Sequence, residues 1–396
     1  MPNPHPGQWQ LVLNQSGCEL NTQNTAVHAC IVYNQSTQRW EVLYFLGDRR
    51  SFLWDPENPT AINELPLVPL WPETPEIIPN FFCSGHSFLA DGRLLVAGGL
   101  KAAPEYGLRY TYIFDPIEEE WNVASGPTGP HAMAGGRYYP TLTTLGEDPG
   151  YGKILAMSGN LDDELLPNKD PEIYDPNTGW NLMQNPPQAR QPFDDLYPSA
   201  HLIAYGGYAG KLFYSLPMKQ AWRFNPYFPG GPLPNGGYWD PVGQQRTQER
   251  YRGNSVLLPL LPNSTSQKIL ILGGSQTEFT AATNTAEIID LSNPSPQWSQ
   301  ANPLAYARRN ADAVILPNDT ILVVGGNQLG QNEATIFTAE LYDVETGLWS
   351  VLPPQKRRRA YHSTALLLPD GRVWVGGTIF LLVVNDLPFS GEGKQH

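Results

Sequence analysis

ADGRLLVAGG at 90–99, QKILILGGS at 267–275, PNDTILVVGGN at 317–327 and PDGRVWVGGT at 369–378 share one design. A polar turn opens a short apolar strand, and a pair of small residues closes it. GKILAMSGN at 152–160 is a further copy. Later in each unit a second strand runs into Asp and then reaches Trp. These strands read YIFDPIEEEW (112–121), EIYDPNTGW (172–180), EIIDLSNPSPQW (287–298) and ELYDVETGLW (340–349). Short apolar strands punctuated by Asp-Gly and Gly-Gly turns are the mark of an all-β chain. No long amphipathic helical pattern interrupts them.

The units recur roughly every 45–55 residues, which is the kelch range. Counting them gives a ring. Blade one spans 24–62, blade two 82–125, blade three 136–184 and blade four 196–240. Blade five spans 250–301 and blade six 307–352. A seventh begins at Arg359 with two clear strands but lacks the aromatic-Asp…Trp ending. GQWQLVL at 7–13 reads as that missing outer strand. Closing a ring with strands from both chain ends leaves no long open edge. The expectation is one domain, 1–396, an all-β seven-bladed β-propeller of kelch type closed by its N- and C-terminal strands, with 379–396 as a short tail.

Four residues stand just before inner strands and carry the candidate chemistry. Cys83 sits in FFCSGHSFLADGRLLVAGG, Tyr139 in GGRYYPTLTTL, and Tyr361 with His362 in RAYHSTALLLPDGRVWVGG. Phenolate, imidazole and thiolate groups can all meet at a transition metal. A Cys beside a Tyr at such a site can become joined to its ring. Tyr138 rivals Tyr139 by a one-residue slip.

On these motifs, over about residues 7–378, the chain resembles the glyoxal oxidase and galactose oxidase family of copper radical oxidases. The resemblance implies copper bound by Tyr139, Tyr361 and His362, with Cys83 and Tyr139 joined by a thioether that makes the ring easier to oxidise. Catalysis would fall to Cys83, Tyr139 and Tyr361. The substrate would be a small aldehyde or primary alcohol, and dioxygen would leave as hydrogen peroxide. The family adds a C-terminal immunoglobulin-like domain that supplies a further His. After Thr378 this sequence has no matching position, so that ligand would come from His5, His86, His131 or a separate chain. The family also covers the cross-linked Tyr with an aromatic ring, where AMSGNLDD (156–163) offers Leu161 or its neighbours. The alternative is a non-catalytic propeller of the same descent that binds a carbohydrate or protein partner.

A net charge of −13 and a pI near 5.0 argue against nucleic acid and anionic membrane surfaces as partners. Asp162-Asp163-Glu164 reads as a solvated loop, and Lys356 to Arg359 as a blade connection. Cys18 and Cys30 are close enough in sequence to pair in an oxidising compartment. MPNPHPGQWQ is not a hydrophobic leader and no transmembrane run follows. The family resemblance nonetheless points to an extracytoplasmic or secreted setting.

Overall fold

The computed structural model describes residues 8–9, 26–102, 105–146, 150–183, 189–227, 237–246, 248–330 and 333–377. Six sheets are antiparallel meanders of four strands. Their innermost strands are His28–Asn34, Gly85–Phe88, Thr141–Thr144, Ser199–Leu202, Asn254–Leu257 and Arg309–Ile315. The sixth sheet carries an extra edge strand, Glu333–Thr335. A further sheet is only a hairpin, Ser363–Leu367 with Val373–Gly377. Its inner strand lies beside both Arg309–Ile315 and His28–Asn34, so the hairpin bridges the last full sheet to the first.

The chain is thus an all-β propeller, but the expected seven complete blades are corrected to six. Among the described residues, only the two strands of this hairpin stand where the seventh blade was expected. The tail 379–396 lies outside the described residues, and so does 7–13 apart from Gln8 and Trp9. The Trp9 indole donates to the Pro353 carbonyl at 2.8 Å and packs near Val373 and Val375.

The sequence pattern explains the packing. The second strand of each full blade is apolar on both faces because it is sandwiched between neighbouring blades. Leu94, Val96, Leu155, Met157, Leu270 and Leu272 are all fully covered. Each such side chain contributes about 1.5–3 kcal/mol of transfer free energy. The Asp that ends the third strand caps its own turn. Asp115, Asp175 and Asp290 each accept the backbone N–H two residues on, at 2.9 Å. The Trp that follows reaches back to the previous blade. Trp121 donates to Ser51 Oγ, and Trp180 to Thr111 Oγ1, both at 2.8 Å.

The Gly-Gly pair has a different task. The N–H groups of Gly99, Gly274 and Gly326 donate to the carbonyls of Arg137, Arg308 and Arg359 in the next blade, at 3.0, 2.9 and 2.8 Å. A Cβ on Gly98 or Gly273 would run into the same carbonyls, and both residues have positive φ. Two of those arginines, with Arg250, are buried and paired with the Glu that opens the third strand. The pairs are Arg137–Glu172, Arg250–Glu287 and Arg308–Glu340. They lock the loop entering each inner strand to its own blade, and these are the loops that carry the candidate site.

Candidate functional site

The entry loops share a backbone conformation. Cys83, Tyr139, Tyr197, Arg252, Asn310 and His362 all have positive φ, between 46° and 67°. Such angles in non-glycine residues cost about 1–3 kcal/mol each and persist where the surroundings impose them. The surroundings are visible here. Tyr139 N donates to Cys83 O at 2.8 Å, Tyr197 N to Tyr139 O at 3.0 Å, and Asn310 N to Arg252 O at 2.9 Å. Successive blades therefore hold each other's turns. Three of the turns close in the same way, with Ser84, Gly253 and Ser363 N–H groups bonded to Phe81, Arg250 and Ala360 carbonyls.

This conformation brings the expected residues together from three sheets. The Tyr139 and Tyr361 hydroxyls are 2.9 Å apart although 222 residues separate them. Cys83 Sγ lies 3.8 Å from His362 Nε2. The Tyr361 and His362 rings lie side by side, with centroids 3.7 Å apart. The Cys83 thiol is coupled electrostatically to both Tyr139 and Tyr138. Tyr138 is fully buried, with its ring 4.3 Å from that of Tyr139.

Burial dominates the electrostatics. It pushes the Cys83 thiol up to about 12, opposed by its bonds to the two tyrosines. It raises Tyr139 far above the ordinary phenol range, and nearby Cys83 and Tyr361 add to the effect. Burial also raises Tyr361, but the Arg252 guanidinium pulls it back. Arg252 lies over the Tyr361 ring, 4.0 Å from its centroid. His362 is held neutral, lowered to about 4 by burial and by Arg252. Its Nδ1 is buried and has no hydrogen-bond partner.

Several expectations need correction or extension. An aromatic ring does pack on Tyr139: that of Tyr197 from the next blade, edge-on at 4.9 Å. The Tyr197 hydroxyl is fixed on Ser84 O at 2.7 Å. His131 bonds Tyr174 at 3.1 Å in a peripheral loop, and His86 packs against His28 and Phe45. These contacts give neither histidine a place beside the two phenols. His5 lies outside the described residues. Cys30 is a free, buried thiol, and Cys18 lies outside the described residues. Tyr197 and Arg252 escaped the sequence reading. Aligning DDLYPS (194–199) and ERYRGN (249–254) under GRYYPT (136–141) puts both in the Tyr139 column.

As a metal site, the donor set is two phenols and one imidazole. Among the described residues no three His, Cys, Asp or Glu side chains cluster for a metal. A tetragonal copper(II) ion accepts such nitrogen and oxygen donors. The His362 imidazole, its ring against that of Tyr361 and its Nδ1 without a hydrogen-bond partner, fits that requirement.

The sequence profile described as glyoxal oxidase N-terminus matches residues 235–380. A galactose oxidase of Gibberella zeae is 28% identical over 315 residues, covering 75% of this chain and 42% of its own length. The chain thus spans less than half of that relative. An aldehyde oxidase GLOX of Vitis pseudoreticulata is 24% identical, covering 94% of this chain and 71% of its own length. A solved fungal alcohol oxidase of the AA5 family, in complex with copper, superposes with a TM-score of 0.67 at 24% identity. It covers 89% of this chain, and 70% of the solved chain is matched. That likeness confirms the propeller fold. The profile takes in Tyr361 and His362 but not Cys83 or Tyr139, and the chain is similar to the glyoxal oxidase and galactose oxidase family.

Proposed function

We propose that this propeller carries the active centre of a copper radical oxidase that acts on small aldehydes or primary alcohols. A primary alcohol and dioxygen would give the aldehyde and hydrogen peroxide; an aldehyde hydrate would give the acid and hydrogen peroxide. The observation that carries the reading is the meeting of Tyr139, Tyr361, Cys83 and His362 from three sheets. Tyr139, Tyr361 and His362 would hold the copper, which supplies one-electron redox and dioxygen chemistry when bound. Any remaining ligand would come from solvent, substrate, residues outside those described, or a separate chain.

The chain's own groups account for the rest. Two-electron oxidation needs a second one-electron store, and Tyr139 is placed to be it. Forming the thioether removes the Cys83 S–H and one ring C–H, makes one C–S bond and passes two electrons to dioxygen. Tyr197 and Tyr138 pack against the Tyr139 ring, which would shield a radical from solvent. Tyr361, with Arg252 over its ring favouring the phenolate, would take the substrate hydroxyl proton. No described helix is long and apolar enough to cross a membrane. An extracytoplasmic setting belongs to the same proposal.

The test is copper loading followed by electron paramagnetic resonance and a peroxide assay with simple aldehydes and primary alcohols. A copper signal that His362→Ala abolishes, with peroxide that Cys83→Ala abolishes, supports the reading. Fully loaded protein that makes no peroxide with any of them refutes it. The binding-propeller reading would then replace it. Its partner would be sought at the groove lined by Tyr33, Trp40 and Ile117.

A further inference from the structure

On the face opposite the phenols, the first two blades enclose a groove of about 530 Å³. The strands fix its position. Cys83, Tyr139 and His362 stand before inner strands, whereas Tyr33 and Phe88 line the groove from the far ends of His28–Asn34 and Gly85–Phe88. The first blade's inner hairpin, His28–Asn34 with Arg39–Phe45, has seven residues in each strand. The second blade's, Gly85–Phe88 with Leu94–Ala97, has four. His28 lies beside His86, with rings 5.5 Å apart, so the two inner strands start level. The extra residues of the first hairpin therefore project at the far end.

Tyr33 and Trp40 stand directly opposite each other on that projection, with rings 4.7 Å apart and tilted by 38°. Such a cross-strand pair steadies a hairpin. That role does not require Trp40 to stay 47% exposed over a concave surface. Across the groove Ile117 is 42% exposed, and Asp91, Arg93 and Asp115 give the wall its polar groups. Arg93 Nε donates to Asp91 Oδ2 at 2.9 Å, and Asp115 accepts the Ile117 N–H at 2.9 Å. The projecting hairpin is held in place by Asn34, which is buried. Its Nδ2 donates to Glu119 of the second blade at 3.1 Å, and its Oδ1 accepts the Ser36 and Thr37 N–H groups. The groove is thus formed in advance, which lowers the cost of binding. It is not a by-product of the repeat. The space between the fifth and sixth blades is about 220 Å³, and its one aromatic, Tyr342, is buried.

We propose that this groove binds a neutral glycan, a chain of flat sugar rings with equatorial hydroxyls. Ligand sites combine apolar walls with a few placed polar groups, and this groove has both. A sugar ring presents its C–H face to the negative face of an indole. The hydroxyls at its rim donate and accept, so they can serve Asp91, Asp115 and Arg93 together. Two carboxylates against one guanidinium, on a chain of net charge −13, disfavour an anionic ligand. Bound in this way, the propeller would lie on a polysaccharide with its phenols facing away. The inference does not rest on the oxidase reading, because the groove shares no residue with that centre.

The test is titration calorimetry of the full chain with cellohexaose, a neutral chain of such rings. Wild type should bind it, and Trp40→Ala should weaken binding about tenfold or more, as loss of a central aromatic contact implies. Trp40→Phe keeps a ring and should retain most of the affinity. Should Trp40→Ala fail to fold, Ile117→Arg blocks the groove from the other wall and should abolish binding. No binding by wild type overturns the site, as does binding that survives both Trp40→Ala and Ile117→Arg. A concentration-dependent dimer that Trp40→Ala abolishes, without cellohexaose binding, would give the groove to a second copy and overturn the glycan. Copper binding and peroxide formation are read separately. Their absence would refute the oxidase reading and leave this site standing, and absent glycan binding would do the reverse.

Discussion

Glu172→Leu should destabilise the propeller strongly, and the structure sets the size of the effect. Arg137 Nη2 and Glu172 Oε1 are 2.8 Å apart, with side chains 0% and 1% exposed. The second carboxylate oxygen accepts Ala134 N–H at 2.7 Å. Leucine fills the space but leaves a buried cation and a buried N–H without that acceptor. Breaking such a pair from one side costs about 3–5 kcal/mol. With a urea slope of about 3 kcal/mol per M, the midpoint should fall by about 1–1.7 M. Glu172→Gln keeps one acceptor oxygen and turns an NH2 toward the other donor, and should cost about 1–3 kcal/mol, less than leucine. Arg137→Met combined with Glu172→Leu removes the orphaned charge and should recover much of the loss. Arg137 stands two residues before Tyr139, so the leucine variant should also lower the yield of the Cys83–Tyr139 cross-link. The assay is urea unfolding followed by fluorescence of the eleven tryptophans. A cost for Glu172→Leu below about 1 kcal/mol, or equal costs for leucine and glutamine, would refute the reasoning.

Three further outcomes are expected. Burial pushes the Asp312 carboxyl up to about 7, opposed by its bond from Ser363 Oγ and by Arg359. The unfolded chain then binds fewer protons than the folded one between roughly pH 4 and 7, so this group costs stability as pH rises through that window. Asp312→Asn should therefore raise the melting temperature relative to wild type at pH 8 and lose that advantage near pH 4; a constant difference would contradict it. Tyr197→Phe loses the bond to Ser84 O and should cost about 1 kcal/mol while keeping the ring against Tyr139. Tyr197→Leu should shorten the lifetime of a Tyr139 radical measured by paramagnetic resonance, and an unchanged lifetime would remove Tyr197 from the account. Trp9→Phe, by losing the bond to Pro353 O, should lower stability by about 1 kcal/mol in thermal unfolding. No change would mean that the seat of Trp9 between the sixth sheet and the hairpin is energetically idle.

Much of the fold was legible because a propeller repeats its local chemistry. The Asp turns, the Gly pairs and the apolar second strands recur in sequence, and each has the same place in every blade. Blade number was harder to read. A repeat shows that a unit has begun, but its outer strands have to be found separately, and the last unit shows only the hairpin Ser363–Leu367 with Val373–Gly377 among the described residues. Cys83, Tyr139, Tyr361 and His362 were legible from their motifs and do converge. Tyr197 and Arg252 were not, because Tyr and Arg in a loop are common and carry no motif alone. Their shared column becomes telling only once positive φ shows that the column faces a common centre. The Arg–Glu pairs were hidden for a related reason. Glu172, Glu287 and Glu340 open strands that were read for their Asp and Trp endings, and the partner arginines lie more than thirty residues earlier. AMSGNLDD offered no aromatic ring for Tyr139, and the ring that packs on it comes from a neighbouring blade.

The most direct test of the central claim is the mass of the tryptic peptides that carry Cys83 and Tyr139 after aerobic copper treatment. The account predicts one joined species, lighter than the sum of the two peptides by two hydrogen atoms, with its bridge at the Tyr139 ring. It should be absent from Cys83→Ala and strongly reduced in His362→Ala. Separate, unmodified peptides from fully copper-loaded wild type would contradict the account.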